Sequence, residues 1–68
     1  MVIYEKIGTS TVIGTSYTPK EIVAATQANY PGVKVGSILP SDYSEGSKYL
    51  PKNRKALFRK TEGKYLRI

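Results

Sequence analysis

The chain has 68 residues, enough for one small domain, and carries 11 Lys and Arg against 5 Asp and Glu, a formal net charge of +6. It contains neither cysteine nor histidine. That excludes a disulfide staple and, in effect, a zinc site, and it removes the usual agent of acid–base chemistry near neutral pH.

No apolar run reaches the ~20 residues of a membrane helix. The N-terminus also lacks the basic patch and apolar stretch of a secretory signal. The expectation is a folded cytoplasmic domain with no membrane association, no metal and no cofactor. Its charge is polarised. From Gly46 to Ile68 eight basic residues face Glu62 alone, for +7, while Met1 to Glu45 carries three basic and four acidic residues, for −1. A basic surface gathered on a small domain points first to a polyanion.

Taken in order, Val2 to Ile7 is rich in β-formers and reads as a short strand. Gly8-Thr9-Ser10 reads as a turn, and Thr11-Val12-Ile13 as a second strand closed by Gly14. Residues 1–16 are thus expected to form a strand, a hairpin or an arm. Thr18-Pro19-Lys20-Glu21 carries a helix start: an N-cap, proline at the first helical position and glutamate at the capping-box place. Tyr17 is placed to pack on Ile22 as a hydrophobic staple. The helix runs through Tyr30 and ends at Pro31-Gly32, with Ile22, Val23, Thr26 and Tyr30 on its buried side.

Val35, Ile38 and Leu39 then recur at helical spacing, with Pro40 inside the pattern. Either a short second helix starts near Ser37 or Pro40, or two short turns meet there. Ser47 to Asn53 reads as a polar, basic loop. Ala56–Lys60 and Lys64–Ile68 flank Glu62-Gly63 as a β-hairpin, the glycine supplying a positive φ.

The order of a capped helix "TPKEIVAATQANYP", a short helical segment "VKVGSILPSDYS" and a basic hairpin "ALFRKTEGKYLRI" resembles the helix-turn-helix and wing of winged-helix domains. "GSILPSDY" followed by "LF…G-Y" is similar to a winged-helix-like module attached to some restriction and HNH-type endonucleases and phage proteins. The similarity covers about residues 17–68. It implies an α+β domain with helix-turn-helix-like residues 17–46 and a basic loop and wing at 47–68. A standard winged helix has a further helix before the capped one, where Met1–Ser16 reads as strand. Nuclease activity is not implied, because in such enzymes the catalytic residues lie in another domain.

In helix-turn-helix readers the second helix enters the major groove. By resemblance Lys34, Ser37, Ser41 and Tyr43 are the candidates here; the competing reading makes Ser37 and Ser41 ordinary caps and Tyr43 a core-edge residue. Arg59, Lys60, Lys64 and Arg67 of the hairpin would grip phosphates beside the groove, with Lys48, Lys52, Arg54 and Lys55 extending the grip. Such contacts give affinity and salt dependence but little sequence choice. The competing reading is a solvated face.

Tyr30 and Tyr65 are expected in the core, with Phe58 as its anchor. Tyr49 is open between a core role and stacking on single-stranded bases. Asp42 and Glu45 lack the further ligands of a metal or catalytic pair, so no catalytic set can be assembled and no enzyme is expected. The leading expectation is a DNA-binding protein, a phage or mobile-element regulator or a nuclease-targeting module, acting on duplex DNA. The second is a phage-type protein that inhibits a host protein, using its basic face against an acidic partner. The unpaired edges of an N-terminal strand are compatible with a homodimer.

Overall fold

A computed structural model describes all residues, Met1–Ile68. The protein is α+β, with two α-helices, two 3₁₀ turns and a three-stranded antiparallel sheet. The elements are α1 (Ile3–Ser10), β1 (Ser16–Tyr17), α2 (Pro19–Asn29), 3₁₀ turns at Val35–Ser37 and Pro40–Tyr43, β2 (Phe58–Thr61) and β3 (Lys64–Arg67). The sheet order is β1-β3-β2.

The N-terminal segment corrects the strand expectation. Ile3–Ser10 is helical, and Thr11–Ile13 is a turn rather than a second strand. Ile3, Ile7 and Thr11 recur every fourth residue. Ile7 and Thr11 are buried, and Ile3 packs at the edge of the core. Local β propensity therefore yields to burial against α2, as tertiary context commonly overrides propensity. Glu5 supports the turn by accepting the Val2 N–H at 3.2 Å, one half of a capping box. The extended N-terminal edge that would pair with a second chain is absent, and the sheet's margin on that side is β1, only two residues long.

α2 forms as its start signal dictates. The Thr18 hydroxyl accepts the Glu21 N–H at 3.2 Å, and the Glu21 carboxylate accepts the Thr18 N–H at 2.7 Å. Ile22 and Thr26 are fully buried, and Val23 and Tyr17 pack against the core. Thr26 returns its hydroxyl to the Ile22 carbonyl at 2.8 Å, so its polar atom is satisfied. The helix stops at Tyr30, whose N–H donates to Thr26, before Pro31.

The expected short second helix is not an α-helix. Pro40 opens the second 3₁₀ turn and is buried, so its ring and missing N–H sit between two short turns. The open alternative of two turns is the one the chain adopts.

The core is Ile7, Ile22, Ile38, Leu57, Phe58 and Tyr65. Phe58 meets Tyr65 edge-on, with ring centroids 6.0 Å apart. The β2–β3 register pairs Phe58 with Arg67, Arg59 with Leu66, Lys60 with Tyr65 and Thr61 with Lys64. Residues directly opposite share a face. Phe58, Lys60, Tyr65 and Arg67 therefore lie on the core side, and Arg59, Thr61, Lys64 and Leu66 on the outer side. Glu62 and Gly63 both have positive φ, 44° and 82°, as a two-residue hairpin turn of the I′ kind requires.

The far edge of β2 is covered. Ser44 bridges Phe58 in parallel, the Glu45 N–H donates to the Phe58 carbonyl, and the Leu57 N–H donates to the Tyr43 carbonyl. These bonds pin the second 3₁₀ turn to the hairpin.

Candidate nucleic-acid interface

The hairpin and the loop before it carry the +7 segment, but its eight cations do not stand alike. Arg67 is turned inward: its Nε donates to Thr11 Oγ1 at 2.9 Å and its Nη2 to the Gly8 carbonyl at 3.1 Å. It also donates to the Ile68 carbonyl through Nη1. All three contacts serve the fold. Arg59 is exposed but forms the single ion pair of the protein, with Glu45 at 2.8 Å. Its second arm reaches the other carboxylate oxygen at 3.3 Å. The pair lowers the Glu45 carboxyl below its ordinary range through the hydrogen bond from Arg59, and raises the Arg59 guanidinium.

The other six cations, Lys48, Lys52, Arg54, Lys55, Lys60 and Lys64, are exposed and have no carboxylate within ion-pair distance. Lys64, at the hairpin tip, is close enough to α2 to help lower the Glu21 carboxyl. The larger causes there are the Thr18 backbone and hydroxyl hydrogen bonds.

The loop between Gly46 and Ala56 has no regular secondary structure, yet it is held at both ends. Near its start, the Ser47 N–H donates to the Ser44 carbonyl at 3.1 Å. Near its end, the Tyr4 hydroxyl of α1 donates to the Lys55 carbonyl at 2.6 Å. The Arg54 guanidinium lies 5.2 Å from the Tyr4 ring centroid. Tyr4 in turn meets Tyr43 edge-on at 5.8 Å.

The groove-reading candidates separate. Lys34 and Ser37 are exposed at the two ends of the first 3₁₀ turn, and Ser41 is exposed on the second. Tyr43 is half-buried against Tyr4, and burial raises its phenol, with Asp42 adding to the effect. Tyr43 thus occupies the core-edge position that was its competing reading. Two apolar residues on these turns, Val35 and Leu39, are 58% and 46% exposed. Of the three residues at helical spacing, Val35, Ile38 and Leu39, only Ile38 is buried.

One concave site unites members of all three groups. A polar cleft of about 330 Å³ is lined by Ser41 and Asp42 of the second 3₁₀ turn, by Ser44–Tyr49 and by Lys60 of β2. Ser41, Lys48 and Lys60 are brought together there, although 19 positions separate the first from the last. Tyr49 stands at its wall, 65% exposed. A second, more apolar depression lies between α1 and the chain end, lined by Tyr4, Leu57 and Ile68 among others. No cluster of acidic, His or Cys residues could hold a metal ion, and no helix is long and apolar enough to cross a membrane.

The chain matches no protein-family profile, no curated protein and no solved structure.

Proposed function

We propose that this protein is a nucleic-acid-binding domain of winged-helix-like design, with the β2–β3 hairpin and the Gly46–Lys55 loop gripping the phosphates of duplex DNA. The observation that carries the reading is the set of six exposed cations without carboxylate partners, all within one hairpin and the loop that feeds it. A solvated face kept for solubility gains nothing from segregating its charge. A phosphate backbone rewards that arrangement through counterion release. The helical Ile3–Ser10 supports the winged-helix part of the reading, because it supplies the helix that such a design has before the capped one.

The segment between α2 and β2 is two 3₁₀ turns and not an α-helix. Base reading by a helix lying along the major groove is therefore not part of the proposal. Lys34, Ser37 and Ser41 approach the nucleic acid from turn tips, and phosphate contacts dominate the affinity.

The test is a titration of labelled duplex DNA at a series of salt concentrations. The slope of log K against log salt is about −0.9 for each phosphate neutralised, so four to six contacts predict a slope of roughly −4 to −5. Replacing Lys55 and Lys64 with alanine should flatten that slope by roughly 2. No binding at the lowest salt would overturn the proposal. Nuclease-resistant capture of an acidic protein by the basic face would instead direct attention to a protein partner.

A further inference from the structure

The polar cleft beside the hairpin is more than a place where cations meet. Its wall carries Tyr49, whose ring is largely exposed and takes part in neither aromatic pair of the protein, Tyr4 with Tyr43 or Phe58 with Tyr65. An exposed ring with no aromatic partner contributes little to the fold. The Lys48 ammonium lies 5.2 Å from its ring centroid, and Lys60 enters from β2. Ser41 and Ser47 contribute hydroxyls. Asp42 lines the cleft with a carboxylate that has no salt-bridge partner. Glu45, the other carboxylate there, is already engaged by Arg59.

These groups are the parts a single unpaired nucleotide needs. An aromatic face stacks on a base, and flanking ammonium groups hold the phosphates on either side. A carboxylate accepts from an exocyclic amine, as aspartate does from cytosine N4. The volume, about 330 Å³, is at the small end of the roughly 300–1,000 Å³ of ligand pockets.

We propose that the cleft binds one unstacked base that carries an exocyclic amine, and so not thymine, of a single-stranded segment adjoining the gripped duplex. Tyr49 is the stacking residue, Lys48 and Lys60 hold the flanking phosphates, and Asp42 selects for the exocyclic amine. This rests on the phosphate-gripping reading given above, and it adds a ligand class that the hairpin alone does not require: a junction between paired and unpaired strands.

The experiment compares a blunt duplex with the same duplex carrying a short oligo-dC or oligo-dT tail, by fluorescence anisotropy at fixed salt. The dC-tailed duplex should bind tighter than the blunt one by roughly 5- to 150-fold, the range expected for stacking one base on an aromatic side chain. Tyr49→Ala should remove most of that gain, so that tailed and blunt duplex bind the variant with nearly equal affinity. Asp42→Ala should bring dC and dT tails to equal affinity. Circular dichroism melts of both variants check that they remain folded. Equal affinity of wild type for tailed and blunt duplex, or a tail gain that survives Tyr49→Ala, would overturn the cleft proposal and leave the duplex grip standing. Failure to bind any of the probes would overturn both.

Discussion

Arg67, on the last strand, closes the C-terminal end of α1 by donating through Nη2 to the carbonyl of Gly8. Helix carbonyls at that end lack intrahelical partners and favour a cation. α1 has no basic residue in its own last turn, so the guanidinium arrives from a strand 59 positions away in sequence. A Cβ at Gly8 would make ordinary van der Waals contact with Leu57 at 3.4 Å and Arg67 Nη2 at 3.5 Å.

Arg67→Ala should therefore act on stability. Hydrogen bonds from a charged donor are worth about 1.5–3 kcal/mol. Urea denaturation of the variant should show a loss of about 2 kcal/mol, while the salt slope of DNA binding stays that of the wild type. A slope that flattened by a full contact would return Arg67 to the phosphate grip.

Glu45→Ala should strengthen nucleic-acid binding. It releases Arg59 from its only carboxylate partner and leaves the Glu45 N–H bond to Phe58 in place. The salt slope should steepen by about 0.9, one added phosphate contact. The pair is exposed on both sides, so its removal should change stability little. An unchanged slope would mean that Arg59 points away from the bound nucleic acid.

Glu62 is the one residue of the hairpin turn that sits at positive φ without being glycine. A left-handed conformation costs an ordinary side chain roughly 1–2 kcal/mol, and Asn tolerates it better. Glu62→Asn should raise the melting temperature, with a gain of up to about 1 kcal/mol, whereas Glu62→Gln should not. Both remove the lone acidic charge of the segment and should bind DNA more tightly. A melting temperature equal in the two variants would contradict the turn argument.

Acid should loosen the capping box. Glu21 is held below its ordinary range chiefly by the Thr18 backbone N–H, and Glu45 by the hydrogen bond from Arg59. A carboxylate whose folded value is depressed stabilises the protein above its unfolded value, and that contribution is lost as pH falls through the folded value. The urea midpoint should thus be flat near neutrality and decline as pH drops below the ordinary carboxylate range. In Glu21→Gln the decline should be shallower. A decline identical to wild type would mean that Glu21 is not linked to folding.

The parts of the fold that were legible in the sequence are those whose signals are local. Thr18, Pro19 and Glu21 define a helix start within four residues, and Glu62-Gly63 defines a turn within two. α1 is hidden in the sequence because its signal is split: Val2 at the N-cap offers no side-chain oxygen, and Ile3 and Ile7 are β-branched. Only the every-fourth-residue spacing of Ile3, Ile7 and Thr11 marks it as a helix, and that spacing gains meaning once α2 is there to cover it.

The candidate site was legible as a charge count and not as a geometry. Nothing local distinguishes Arg67, which is bonded inward, from Lys64 three positions earlier. The difference comes from cross-strand register, which turns alternate residues to opposite faces. The cleft is invisible for the same reason, since Ser41 and Lys60 meet only when Ser44 bridges Phe58.

Tyr4 lends the charged loop a footing outside itself. A free ten-residue arc would have to surrender its conformational freedom on meeting a partner, and that loss is subtracted from affinity. Here the Tyr4 hydroxyl bolts the Lys55 backbone to α1 while its ring carries Arg54. A turn bond from the Arg54 N–H to the Pro51 carbonyl at 3.2 Å also closes the crest around Lys52. Under the proposed function the first helix would thereby set binding strength: removing one oxygen from Tyr4 would free the Lys55 end of the loop without altering a single charge.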